Sequence, residues 1–140
     1  MRYILFLILI FAVSCSDSNP LLSRLDHIDS IMDANPQAAY DSLCTIKKTQ
    51  NITSAKNVDM KWRMLMATAQ NKLYMQMPTD SAFSEVVAYY DRNGSDNEKM
   101  QSRYLLGCIY RDMNDAPKAI ECYQQALCYA DTTDDYDNLT

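Results

Sequence analysis

From residue 20 onward, apolar side chains recur every three or four positions, and short polar joints, three with proline, cut the runs into helical lengths. Leu21, Leu22, Leu25, Ile28, Ile31 and Met32 make a first stripe. Asn35-Pro36 stops that helix and starts the next, with proline where its missing N–H costs nothing. Ala39, Tyr40, Leu43 and Ile46 form the second stripe, and residues 49–53 read as a loop. A third helix is predicted over residues 54–76, with Val58, Trp62, Leu65, Ala69 and Leu73 on one side. Pro78 and the capping pair Thr79-Asp80 separate it from a fourth, which carries Phe83, Val86, Val87 and Tyr90. Ser95-x-x-Glu98 fits a capping box for a fifth. The sixth starts near Asp115-Ala116-Pro117, with Ile120, Tyr123, Ala126 and Leu127 predicted as its inner face. No helix pair can bury its stripe alone, so neighbouring pairs must stack.

Composition agrees with an all-α fold of one modest domain. The chain has only 2 Gly and 4 Pro in 140 residues, too few for a turn-rich β architecture. The net charge is −5 and no block of basic residues occurs, so the phosphate-neutralising surface needed for nucleic acid is missing.

The first 15 residues, MRYILFLILIFAVSC, place Arg2 before an apolar run from Ile4 to Val13. That run is about half of the ~20 residues needed to cross a bilayer, which suits a secretory signal. Ala12-Val13-Ser14-Cys15, followed at once by polar residues, resembles the lipobox of bacterial lipoproteins. The resemblance implies cleavage after residue 14, acylation of Cys15, and anchoring by chains whose buried methylenes each contribute about 0.8 kcal/mol. Ser16 is not the aspartate that retains some lipoproteins in the inner membrane. An outer-membrane address, facing the periplasm or the cell surface, is therefore expected.

The third pair has a more specific spacing. Leu106-Gly107 is followed by Tyr110 on one helix, and Ala119 by Tyr123 and Ala126 on the next. Small residues at Gly107 and Ala119 allow the helices to cross closely, and Tyr110 and Tyr123 fill the space beside the crossing. This pattern resembles the tetratricopeptide repeat. Arg103 stands where that family commonly has a large aromatic, and Asp131 replaces its closing proline. The resemblance implies a right-handed α-solenoid of about three antiparallel helix pairs. Residues 1–14 would be the signal peptide, 15–19 a tether, 20–93 two degenerate pairs and 97–131 the clear repeat. Residues 132–140 would form an acidic tail or the start of a truncated further repeat. A lipobox joined to such repeats resembles lipoproteins and sensor-like regulators of Bacteroidota-type Gram-negative bacteria.

Chemistry-bearing constellations are sparse. His27 is the single histidine, and Asp29, two residues on, points to another side of the helix, so a metal site is not expected. Beyond Cys15, Cys44, Cys108, Cys122 and Cys128 show no C-x-x-C spacing and are expected as buried free thiols, although Cys108 and Cys122 lie on facing helices. Gly94 and Gly107 alone cannot build a phosphate-cradling loop. No cofactor, small-molecule substrate or enzymatic activity is expected. In tetratricopeptide proteins the first helix of each pair lines a concave groove, which implies Gln101, Tyr104, Cys108, Arg111 and Asp112 as groove residues here. Tyr104 and Cys108 occupy places where some relatives carry a basic carboxylate clamp, so the implied partner is an extended peptide or helix. The expected role is a membrane-anchored interaction scaffold or the sensory front of a longer regulator; the alternative is an assembly accessory of the cell envelope.

Overall fold

Every helix begins where a short polar side chain or a proline relieves the unpaired first N–H groups, save the third, where no side chain caps. The structure, a computed structural model, describes residues 19–130. The lipobox with Cys15, and everything from residue 131 on, lie outside the described residues. Asn19 Oδ1 accepts the Leu21 N–H at 3.0 Å and opens α1 (Pro20–Ile31). Asn35 Oδ1 accepts the Ala38 N–H at 3.0 Å and opens α2 (Pro36–Thr49). Both prolines occupy the first turn. Thr79 caps α4 (Asp80–Asn93). Ser95 and Glu98 form a reciprocal capping box at α5 (Asp96–Asp112), with the Ser95 N–H donating to Glu98 Oε2 at 2.8 Å. Asp115 accepts the Lys118 N–H at the start of α6 (Ala116–Ala130). Each such cap stabilises its helix by about 0.5–2 kcal/mol.

Among the described residues the fold is all-α, with six helices and no strands. Each helix packs on the next in the chain; in addition α1 packs on α3 (Lys56–Lys72) and α3 on α5. The third helix is shorter than the spacing predicts. Ile52–Ser54 forms a separate 3₁₀ turn, and the helix ends at Lys72 because Tyr74 turns left-handed, with φ 54°. Residues 49–53 are likewise not a plain loop: Thr49 completes α2, and Ile52 is buried in the core.

Two apolar cores meet on α3. Val58, Trp62, Leu65 and Ala69 join Leu25, Ile28, Leu43 and Ile46 of the first pair. Met60, Met64 and Ala67 join Phe83, Val86, Val87 and Tyr90 of α4 and Leu105 and Ile109 of α5. The Trp62 indole N–H donates to the Leu43 carbonyl at 3.0 Å, so the largest ring of the first core is both packed and satisfied. On the surface, Arg63 and then Lys56 hold the Glu85 carboxyl down at about 2 and tie α3 to α4. That tie persists above the ordinary carboxylate range and is lost as pH falls toward 2.

The third pair runs antiparallel, as its contacts show. Met100 packs on Ala126 and Ala130, Arg103 hydrogen-bonds Gln125, Gly107 meets Tyr123, and the Lys118 ammonium lies 5.0 Å from the Tyr110 ring centre. A Cβ placed on Gly107 would come within 2.5 Å of the Tyr123 ring. That close crossing decides which face of α6 is inside. Ala119, Cys122, Ala126 and Ala130 are buried, while Ile120 and Leu127 are 56% and 50% exposed and Tyr123 is half-buried. Of the predicted inner face, Ala126 is buried and Tyr123 lies against Gly107, but Ile120 and Leu127 are corrected to the exposed side, and Ala119, Cys122 and Ala130 take the contact instead. The thiols divide too. All four are free; Cys108 and Cys122 are buried, Cys44 is half-buried, and Cys128 is exposed rather than buried.

Gly107→Ala is expected to destabilise by about 1–2 kcal/mol, although alanine in a helix interior normally gains about 1 kcal/mol over glycine. Tyr123→Ala should cost less in that background than in the wild type, and a double-mutant cycle by urea unfolding measures the coupling. Ile120→Ser with Leu127→Ser should change stability by less than about 0.5 kcal/mol for each residue, against about 3–5 kcal/mol for Phe83→Ala.

Candidate functional site

α1 buries its apolar stripe against α2 and α3, α3 against its neighbours on two faces, and α5 against α4 and α6, and each keeps a polar stripe on its remaining side. Asp26, Asp29 and Asp33 recur at helical spacing along α1 and just past its end. Thr68, Asn71 and Lys72 do so on α3. Gln101, Tyr104, Arg111 and Asp112 do so on α5. These stripes converge on one cavity of about 940 Å³, and none of its lining residues comes from α2, α4 or α6.

Polar bonds between the three helices hold its walls in place. Lys61 on α3 pairs with Asp26, and Lys72 Nζ lies 2.7 Å from Asp33 Oδ1, so α1 and α3 run side by side in the same direction. Arg111 lies between α5 and α3: its Nη2 donates to Asn71 Oδ1 at 3.3 Å and sits 2.8 Å from Asp112 Oδ1. Asp112 in turn raises the Arg111 pKa. Exposed pairs of this kind contribute little each, about 0–1 kcal/mol, and serve here to fix side chains rather than to hold the fold.

Tyr104 is the hinge between cavity and core. Its ring lies 5.8 Å from that of Tyr123 and packs against both the second core and the smaller cluster of Met100, Ala126 and Ala130. Burial, reinforced by the Cys108 thiol, raises its phenol pKa. Burial likewise pushes the Tyr123 phenol up, and its hydroxyl reaches Cys108 Sγ at 3.7 Å. Cys108 is fully buried at this point. Of the five groove residues implied by the sequence, Gln101, Tyr104, Arg111 and Asp112 line the cavity, and Cys108 does not. Its spacing is right, but the tyrosines cover it. The packing residues Leu106, Gly107, Tyr110, Ala119, Tyr123 and Ala126 lie away from the cavity lining. Leu106 packs half-buried on the second core.

The walls contributed by α1 and α3 were missed by sequence reasoning, because only the third pair carries a recognisable motif. The signal was present: Asp26, Asp29 and Asp33 are separated by three and four residues and lie off the apolar stripe. His27 is exposed on α1, and among the described residues no group of three or more His, Cys, Asp or Glu side chains is arranged to hold a metal ion. A second cavity of about 350 Å³ lies among α2, α3 and α4 beside Trp62 and Phe83, but its Arg63 is already engaged by Glu85 and the Ala82 carbonyl. No family model, curated protein or solved structure matches the chain.

Tyr104→Ala should lower stability by about 2–4 kcal/mol, since it removes a ring that both clusters use, whereas Gln101→Ala should cost less than about 0.5 kcal/mol. Thermal unfolding followed by circular dichroism separates the two. Equal losses would mean that Gln101 is structural.

Proposed function

We propose that this chain is a lipid-anchored helical-repeat protein that holds a segment of another protein in the groove between α1, α3 and α5. The single observation that carries this reading is the cavity itself, lined by the first helix of each pair and by Met32, Asp33 and Tyr74 just past the ends of α1 and α3. Its polar walls and open length fit an extended chain held by several side-chain contacts.

Two further observations support a solenoid of the tetratricopeptide type. The first helices of successive pairs meet directly, Lys61 with Asp26 35 positions apart and Arg111 with Asn71 40 apart. The tight Gly107–Tyr123 crossing is the small-and-large interlock that the repeat pattern implies. The lipobox-like Ala12-Val13-Ser14-Cys15 supports attachment to a membrane, with the groove displayed in the periplasm or at the cell surface. No helix among the described residues is long and apolar enough to cross a membrane, and this reading places attachment on Cys15.

A benzoylphenylalanine photo-crosslinker in place of Gln101 should give a discrete protein adduct in intact cells, and the same group in place of exposed Gln124 on α6 should not. Equal labelling at both positions would sink the groove reading. Separately, Cys15→Ala should move the protein from the membrane to the soluble fraction and abolish labelling by radioactive palmitate. Persistent labelling would show that Cys15 is not the acylated residue.

A further inference from the structure

One end of the first helix pair is basic, and it is the end nearest Cys15. Lys61 on α3 pairs with Asp26 on α1, and the Trp62 indole bonds to the Leu43 carbonyl on α2, so these positions share one level. Beyond that level the start of α1, the end of α2, the Ile52–Ser54 turn and the start of α3 lie together. Residues 47–57 there hold Lys47, Lys48 and Lys56 and no acidic residue, and Arg24 lies in the second turn of α1. The turns at the opposite end, residues 32–35, 73–79 and 113–115, hold Asp33 and Asp115 and no basic residue.

Pairing within the fold does not cancel this charge. Lys56 is engaged by Glu85, but among the described residues Arg24, Lys47 and Lys48 have no carboxylate partner. Lys47 lies over the Trp62 ring, which leaves its charge in place. The end of the α2 dipole accounts for Lys47 and Lys48 but not for Arg24. Asp96 and Glu98 stand at the start of α5, so the basic surface is confined to the first pair. Only four residues, one of them the acidic Asp17, separate Cys15 from Pro20. Such a stretch spans at most about 18 Å. Ile52, the large apolar side chain of the turn, is buried in the core, so this end offers charge to a surface and nothing to insert.

Resting on the reading of Cys15 as the lipid anchor, we propose that the end of the first pair bearing Arg24, Lys47 and Lys48 is a contact surface for anionic phospholipid headgroups. It fixes which end of the molecule faces the bilayer. Each cation held near an anionic surface strengthens the contact about fivefold.

The test uses the full acylated protein, recovered from the membrane fraction and reconstituted in vesicles of phosphatidylcholine alone or mixed equally with phosphatidylglycerol. Benzoylphenylalanine in place of exposed Gln50 should give at least about fivefold more lipid adduct in the anionic vesicles. The same group in place of exposed Gln37, at the far end of α2, should give none. Raising the salt to about 1 M, where the Debye length is about 3 Å, should remove the difference. So should the combined variant Arg24→Gln, Lys47→Gln and Lys48→Gln, with its circular dichroism unchanged. Equal adduct in both kinds of vesicle, or an undiminished difference in the variant, overturns the proposal. A discrete protein adduct from Gln50 in intact cells, in place of a lipid adduct, overturns it too and assigns this end to a protein. The anchor is read separately: failure to sediment with the neutral vesicles removes Cys15 attachment, and this proposal with it, whereas sedimentation without the Gln50 difference leaves the anchor standing.

Discussion

α3 is buried on two faces, and the relation between the two ends of the molecule follows from that. Val58, Trp62, Leu65 and Ala69 complete the core with α1 and α2, while Met60, Met64 and Ala67 complete the core with α4 and α5. A helix shared in this way cannot rotate to improve one contact without spoiling the other. The angular placement of α1 against α5 is therefore set through α3, although contact between those two outer helices is not what fixes it. The cavity is the product: three polar stripes face one another because the apolar stripes behind them are committed elsewhere.

Much of this was legible from apolar spacing. The stripes on α1, α2 and α4, and the capping pairs at Asn35-Pro36, Thr79-Asp80 and Ser95-Glu98, depend on interactions within a few residues, which a sequence displays directly. What escaped depends on distant partners. The second apolar face of α3 is made of Met60, Met64 and Ala67, and these look like surface residues until a second core is known to lie there. Of the inner face read for α6, Ala126 is buried and Tyr123 packs on Gly107, whereas Ile120 and Leu127 stay exposed and Ala119, Cys122 and Ala130 take their place. Hydrophobicity ranked the residues correctly; the space available decided between them.

The candidate site divides along the same line. Gln101, Tyr104, Arg111 and Asp112 were reachable because the third pair carries a recognisable spacing. Cys108 shares their spacing, but Tyr104 and Tyr123 close over it. Tyr74 was hidden for a different reason. A continuous helical reading through residue 76 places it on a helix surface, and only the left-handed stop after Lys72 carries it to the rim. A helix end is set by backbone geometry that side-chain periodicity does not report.

The chain's single tryptophan sits in only one of the two cores. Trp62 is 7% exposed, its indole N–H is bonded to the Leu43 carbonyl, and the Lys47 ammonium lies 5.0 Å from its ring centre. Its emission therefore reports the seam between α2 and α3 and is nearly blind to α5 and α6, whose aromatic residues are tyrosines. The molecule thus carries a built-in optical label at one end. Loss of the whole fold changes that emission, whereas loosening of the last pair alone leaves it nearly constant, although helix content falls in both.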